Sequence, residues 1–295
     1  MLRRPAFSFA LALALFGLLA GCTGLDVQQR KWIFQPLRSA AEASRNLATS
    51  SAPSGMDDVW IEHVSTESGQ PIRLHGLWMP GPDASAPVLL YLHGARRNVE
   101  ASAFRIRQMR ELGFAVLAVD YRGFGLSTDE LPSEAAVYED ARAAWAWLGR
   151  RHPGQDRYIF GHSLGGAIAV QLATEAPEAS GLIVEGTFTS MRAMFQSMKW
   201  GWLPLTPLIT QRFDSLAKIE RVKVPVLVVH GSADALVPPD LGRALYEHAT
   251  AEKRLVLVDG GSHHNTNARG ASQYRQALRE LFGLGAGAAP LASAE

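Results

Sequence analysis

Six continuous apolar runs of strand length constrain the fold of this chain more than any other feature: PVLLYLH, FAVLAVD (114–120), RYIFGHS (157–163), GLIVEG (181–186), PVLVVHG (225–231) and RLVLVDG (254–260). Runs that are apolar at every position are buried on both faces, as strands are in a parallel sheet covered by helices on each side. Helical patterns fall between them, at 132–151 with YEDARAAWAWLGRR, at 239–249 and at 268–283. Upstream, VWIEHVS and IRLHGLWMP read as the two strands of a hairpin around TESGQP. The predicted class is α/β, a mostly parallel sheet between helix layers. With 295 residues, 47% hydrophobic content and no internal repeat, one domain is expected.

The run at 157–163 ends in Gly161-His162-Ser163-Leu164-Gly165, and AIAVQLA after it has helical character. A serine at a strand-to-helix join with glycines two positions to either side is the G-x-S-x-G elbow. The tight turn lifts the hydroxyl clear of the sheet, and the small flanking residues let neighbouring backbones approach. Ser163 is therefore the candidate nucleophile.

Met1-Leu-Arg-Arg supplies a positive start, AFSFALALALFGLLA an apolar stretch of signal-peptide length, and then comes LAGC, Leu19 to Cys22. That ending resembles the bacterial lipobox, in which the cysteine receives a lipid and becomes the first residue after cleavage. The resemblance implies a lipoprotein signal at 1–21, lipidation at Cys22 and tethering to the cell envelope. With Thr23 rather than Asp after the cysteine, it further implies the outer membrane, facing the periplasm. Cys22 is the single cysteine, so no intrachain disulfide forms. The formal charge is only +1, and with Arg3 and Arg4 removed it turns slightly negative, which excludes a nucleic-acid surface. Arg96-Arg97 and Arg150-Arg151 read as solvated pairs. Residues 22–58, with a stretch rich in Ala and Ser at 39–57, read as a tether and lead-in segment, 59–283 as the folded domain, and 284–295 as a flexible tail.

In a parallel sheet with crossover helices, catalytic groups gather beyond the carboxyl ends of the strands. Those ends carry LHGARRN, DYRGFGLS, Ser163, HGSADALVPP and DGGSHHNTN. The order Ser163, Asp234, His264 along the chain is that of the α/β-hydrolases. HGARRN, DYRGFGLS, GHSLGG, FDSLAKI, PVLVVHGSADALVP and GGSHHN occur in sequence order. Together they resemble the Bem46-like branch of the α/β-hydrolase superfamily, serine hydrolases related to the mammalian ABHD13 and ABHD17 proteins. The resemblance spans roughly 28–283 and implies an α/β-hydrolase fold and acyl-ester hydrolysis. It departs after His93-Gly94, where relatives commonly carry Asn-Ala-Gly-Asn and this chain has Ala95-Arg96-Arg97-Asn98.

The mechanism expected from these residues has Ser163 attack, His264 accept its proton and Asp234 orient the imidazole. Backbone N–H groups of Ala95 and Leu164 meet the oxyanion. His263 is the alternative base, because only one of the adjacent pair can face the serine, and Glu185 is the alternative acid. His93 is expected to order its loop, His162 to pack beside the elbow, and Asp120 and Arg122 to build a turn. No metal or organic cofactor is required. Residues 190–217 interrupt the strand-helix rhythm after the sixth strand and read as a short cap. Within it Met191, Met194, Phe195, Met198, Trp200 and Trp202 are candidates to line an acyl-chain pocket. The function expected is a membrane-tethered serine hydrolase of small-molecule carboxylic esters or thioesters. An acyl-peptide-type peptidase and a catalytically silent binding lipoprotein stand as alternatives.

Overall fold

The structure, a computed structural model, describes residues 23–36 and 52–284. The signal-like stretch, Cys22, much of the Ala/Ser-rich segment and all but the first residue of the tail lie outside the described residues. Residues 23–34 form helix α1. A hairpin of β1 (Asp57–Val64) and β2 (Pro71–Met79) follows. Next come β3 (Val88–Leu92), α2 (Ala103–Glu111), β4 (Ala115–Val119), α3 (Glu134–Arg151), β5 (Arg157–His162), α4 (Leu164–Glu175) and β6 (Gly181–Glu185). The cap carries α5 (Met191–Ser197) and a short 3₁₀ turn (Thr206–Leu208). The chain continues through α6 (Leu216–Ile219), β7 (Val226–Gly231), α7 (Pro239–His248), β8 (Lys253–Val258), α8 (Thr266–Arg269) and α9 (Ala271–Phe282). The helix predicted over 268–283 is thus divided at Gly270, where a Cβ would come within 2.5 Å of Val258 Cγ2.

The eight strands form one sheet in the order β1-β2-β4-β3-β5-β6-β7-β8. The pairs β1/β2 and β2/β4 are antiparallel and the rest are parallel. β3, β4 and β6 are buried at every position, which is why their sequences show no polar alternation. Alternate residues feed two cores: Val88, Leu90 and Leu92 meet α3 and α4 on one face, while Leu89 and Tyr91 meet α2 and α9 on the other. From β3 the chain moves outward to β4, then crosses back past β3 to β5. The connections leaving β3 and β5 therefore diverge, and the crevice between them opens at the carboxyl ends of the two central strands.

Folding does not begin near Val59, as composition suggests, but already in α1. Ile33 and Phe34 at its end belong to the core, and the Phe34 ring stands edge-on to Phe213 (5.9 Å) and Phe124 (6.5 Å). Two aromatic and aliphatic residues next to a polar, small-residue stretch are too short a signal to read as a core element.

Candidate active site

Ser163 occupies the turn between β5 and α4 with φ 56° and ψ −122°, a conformation a non-glycine residue keeps only when its surroundings enforce it. They do so on several sides. Its N–H donates to the Glu185 carbonyl (2.9 Å), and its own carbonyl accepts from the Gly166 N–H (2.9 Å) and from Thr187 Oγ1 (2.8 Å). The glycines of the motif have no room for a side chain. A Cβ on Gly161 would lie 2.2 Å from the Gly165 carbonyl oxygen, and one on Gly165 would lie 2.1 Å from the Leu92 carbonyl oxygen. The half-buried serine faces a cavity of about 300 Å³.

Asp234 follows β7 and is nearly buried. Its Oδ1 accepts from the Leu236 and Val237 N–H groups (2.9 and 2.8 Å), and its Oδ2 accepts from His263 Nδ1 at 2.8 Å. Burial alone would raise its pKa. Hydrogen bonds and charge from His230, His263 and the Val237 amide outweigh that and hold the carboxyl well below the ordinary range. A carboxylate accepts only, so His263 Nδ1 carries the proton in this bond and Nε2 is left as the basic nitrogen. His263 and Ser163 line the same cavity.

The imidazole against the acid is thus His263, not His264. His264 is exposed and has no hydrogen bond to Asp234, though it too borders the cavity. The cause is the turn after β8, in which Ser262 N–H donates to Asn265 Oδ1 (2.7 Å) and the Asn265 and Thr266 N–H groups return to the Ser262 carbonyl. Neighbouring side chains in such a turn diverge, and only the first faces Asp234. Counting back from Asn265 favours His264, whereas counting forward through Gly261-Ser262-His263 finds the residue the fold uses. Glu185, the alternative acid, is fully buried but faces Arg105 and the Tyr274 hydroxyl instead.

Arg105 of α2 belongs to none of the sequence motifs. It is buried, with Nε 3.4 Å from Glu185 Oε1, and one of its terminal nitrogens donates to the carbonyls of both His263 and His264 at 3.2 Å. Burial works against its charge, and Glu185, together with Tyr91 and Tyr274, outweighs it, so its pKa is raised. His162 adds a bond from Nε2 to the His263 carbonyl (3.0 Å); burial, then Arg105, push its pKa well down, leaving it neutral. The available signal was an arginine beside Ile106 on the helix face that turns toward the sheet.

Ala95 and Leu164, expected to supply oxyanion N–H groups, both border the cavity beside Ser163. The loop carrying Ala95 passes close over the nucleophile: a Cβ on Gly94 would lie 3.1 Å from Ser163 Cβ. Three contacts fix that loop. Val99 N–H donates to buried Asp120 Oδ1 (2.8 Å), Tyr121 OH donates to the His93 carbonyl (3.2 Å), and Arg96 N–H donates to the Phe34 carbonyl at the end of α1 (3.0 Å). His93 Nε2 stands 3.3 Å from the same Asp120 oxygen, so His93 and Asp120 order the loop. Arg122 is fully buried between Glu139 and Asp140, each 2.6 Å away. It fills with its guanidinium the cluster of His63, Glu139 and Asp140, whose ligand atoms are otherwise close enough to hold a metal ion.

The cavity wall is apolar on the cap side. Met191, Met194, Phe195 and Met198 line it, and the exposed Arg96 and Arg97 border the same cavity. Trp200 and Trp202 do not line it, contrary to expectation; they are 60% and 74% exposed on the outside of the cap. The chain leaves α5 after Ser197 and turns outward through Met198, which carries both tryptophans away from the pocket.

These features have counterparts in known proteins. A family model described as serine aminopeptidase, S33, matches residues 83–219 and 208–268. An uncharacterized protein of Mycobacterium tuberculosis is 36% identical over 259 residues, 86% of this chain and 87% of that protein. An α/β-hydrolase domain-containing protein of Arabidopsis thaliana, WAV2, is 29% identical over 276 residues, 87% of this chain and 88% of its own. The lysophosphatidylserine lipase ABHD12 of Danio rerio is 32% identical over 192 residues, 58% of this chain and 50% of that protein. Among solved structures, Est1E of Butyrivibrio proteoclasticus with bound ferulic acid superposes with a TM-score of 0.62 at 18% identity, covering 76% of this chain and 99% of that one. The Pyrococcus furiosus esterase Pf2001 gives 0.61 at 19% identity, covering 83% and 96%. At such identities the structural likeness is one of fold.

Proposed function

The chain belongs to the serine aminopeptidase S33 family of α/β-hydrolases and is a serine hydrolase, and from that premise we propose that it cleaves carboxylic esters of lipophilic acyl groups through an acyl-enzyme. The observation that carries this reading is the 2.8 Å bond from His263 Nδ1 to Asp234 on the rim of a cavity that Ser163 also lines. Ser163 Oγ attacks the ester carbonyl while His263 Nε2 takes its proton, and Asp234 stabilises the imidazolium that forms. The Ala95 and Leu164 N–H groups receive the oxyanion, and the protonated His263 then delivers its proton to the departing alcohol. A water activated by the same imidazole releases the acid and restores Ser163.

The substrate class follows from the walls. Four flexible apolar side chains of the cap suit an acyl chain, and Arg96 and Arg97 suit an acidic group on the alcohol side. A relative named a lysophosphatidylserine lipase supports the same reading. We further propose that lipidation at Cys22 tethers the enzyme to the bacterial envelope, at the outer membrane. Incorporation of labelled palmitate that disappears in Cys22→Ala tests the tether.

The catalytic reading is tested by labelling the protein with a fluorophosphonate and following hydrolysis of an ester series from acetyl to palmitoyl, with an aminoacyl anilide as the peptidase control. Labelling that requires Ser163 and His263, together with rates that rise with chain length, is expected. Labelling indifferent to Ser163→Ala rejects the assignment, and preferential cleavage of the anilide moves the enzyme to the peptidase reading.

A further inference from the structure

We infer that the outer face of the cap, together with α1, docks on a lipid bilayer and turns the mouth of the pocket toward it. Eleven large apolar side chains are exposed among the described residues, and eight of them belong to this region: Leu25 and Trp32 on α1, five cap residues from Met198 to Leu208, and Leu236. They are not scattered. Trp32, Met198 and Leu236 also line the cavity, so the exposed face is continuous with the pocket mouth. A tryptophan pair 60% and 74% exposed, two and four residues along the chain from Met198, is the arrangement that membrane interfaces favour, since the indole has an apolar body and a polar N–H.

Two independent features identify a bilayer as the occupant. The first is charge: residues 191–213 contain Arg192, Lys199 and Arg212 and no Asp or Glu, which matches an anionic lipid surface. The second is where the chain outside the described residues ends. The apolar run of residues 6–20 and Cys22 lie immediately before α1, and the first turns of α1 are bonded to the cap. Asp26 Oδ1 accepts from Thr210 Oγ1 (2.7 Å) and Gln211 Nε2 (2.8 Å), while Gln29 Nε2 donates to the Leu208 carbonyl (2.7 Å). Even a fully extended chain keeps residue 22 within about 14 Å of Asp26. Whatever membrane attachment that stretch provides is thus delivered beside the cap. The inference deepens the ester-hydrolase reading by naming the bilayer as the source of the ester, and it is tested without turnover.

The test uses the full-length protein with vesicles of phosphatidylcholine, with and without phosphatidylglycerol, carrying brominated acyl chains that quench tryptophan. Residues 1–31 contain no tryptophan, so insertion of that stretch is silent. Quenching of the wild type is expected, with most of the quenchable emission lost in the doubly substituted Trp200→Ser/Trp202→Ser protein. That protein should still hydrolyse a short water-soluble ester as the wild type does, and lose hydrolysis of vesicle-embedded ester. Lys199→Glu, which leaves the apolar area intact, should reduce quenching on vesicles with phosphatidylglycerol. Absence of quenching in the wild type, or equal quenching in both proteins, overturns the inference and leaves the face to a protein partner. Failure to hydrolyse either ester rejects the esterase reading while the quenching result still decides the docking face.

Discussion

Arg105 holds the main chain of His263: one guanidinium nitrogen donates to the His263 carbonyl at 3.2 Å while the Nε edge faces fully buried Glu185. A charge on α2 thereby sets the position of the loop after β8 that presents the imidazole. A rigid, buried fork serves this purpose because it reaches several acceptors from one fixed plane.

Arg105→Lys keeps the charge and loses the fork. Its kcat should fall on the order of ten- to a hundredfold with KM little changed, because a misplaced base affects the chemical step more than binding. A KM effect with kcat intact would show that Arg105 serves only to fold the site. Arg105→Met leaves Glu185 buried without its cation, at a cost of about 3–5 kcal/mol, and Arg105→Met/Glu185→Gln should recover part of that in a denaturant melt.

The two adjacent histidines separate cleanly by substitution. His263→Ala should lose activity by at least about a thousandfold and abolish fluorophosphonate labelling, since it removes the partner of Asp234. His264→Ala, altering an exposed side chain at the rim, should stay within a few-fold of wild type. The reverse pattern would return the base to His264.

Acid stability has a specific contributor in Glu139. Burial tends to raise its pKa, but the Thr66 N–H and the Arg122 guanidinium bring it down from 4.5 to about 2. A depressed folded-state pKa stabilises the protein above the unfolded value and is lost as pH falls. The contribution, on the order of 3 kcal/mol by the size of the shift, should be complete above pH 4.5 and disappear on going down toward 2. Glu139→Gln should be less stable at neutral pH and show a flatter decline over that interval in melts recorded against pH. A parallel decline in both proteins would refute the assignment.

Acyl preference should respond to the cap. Phe195→Ala and Met194→Ala each shorten the apolar wall and should lower kcat/KM for octanoyl and longer esters while sparing acetyl esters, by about 0.8 kcal/mol for each methylene that loses contact. Uniform loss across the series would place these side chains outside the acyl path.

The α/β class, the leading hairpin and the serine elbow were legible because each depends on local pattern. Uninterrupted apolar runs report burial on both faces, and Gly161 and Gly165 report backbone contacts too close for a Cβ. The acid could be placed for the same reason, at the end of an apolar run. What the chain order did not carry was direction. His263 and His264 are chemically identical neighbours, and only the turn closed by Ser262 and Asn265 aims one of them at Asp234. Arg105 lies 158 residues from His263 along the chain, so its contact exists only once α2 and the loop after β8 meet at the sheet. The cap tryptophans have the composition of a pocket wall, yet the outward turn at Met198 puts them on the surface. Residue type and local spacing determined the chemistry this protein carries; which atoms face one another was decided by packing of distant segments, because orientation is a property of the assembled sheet and its loops.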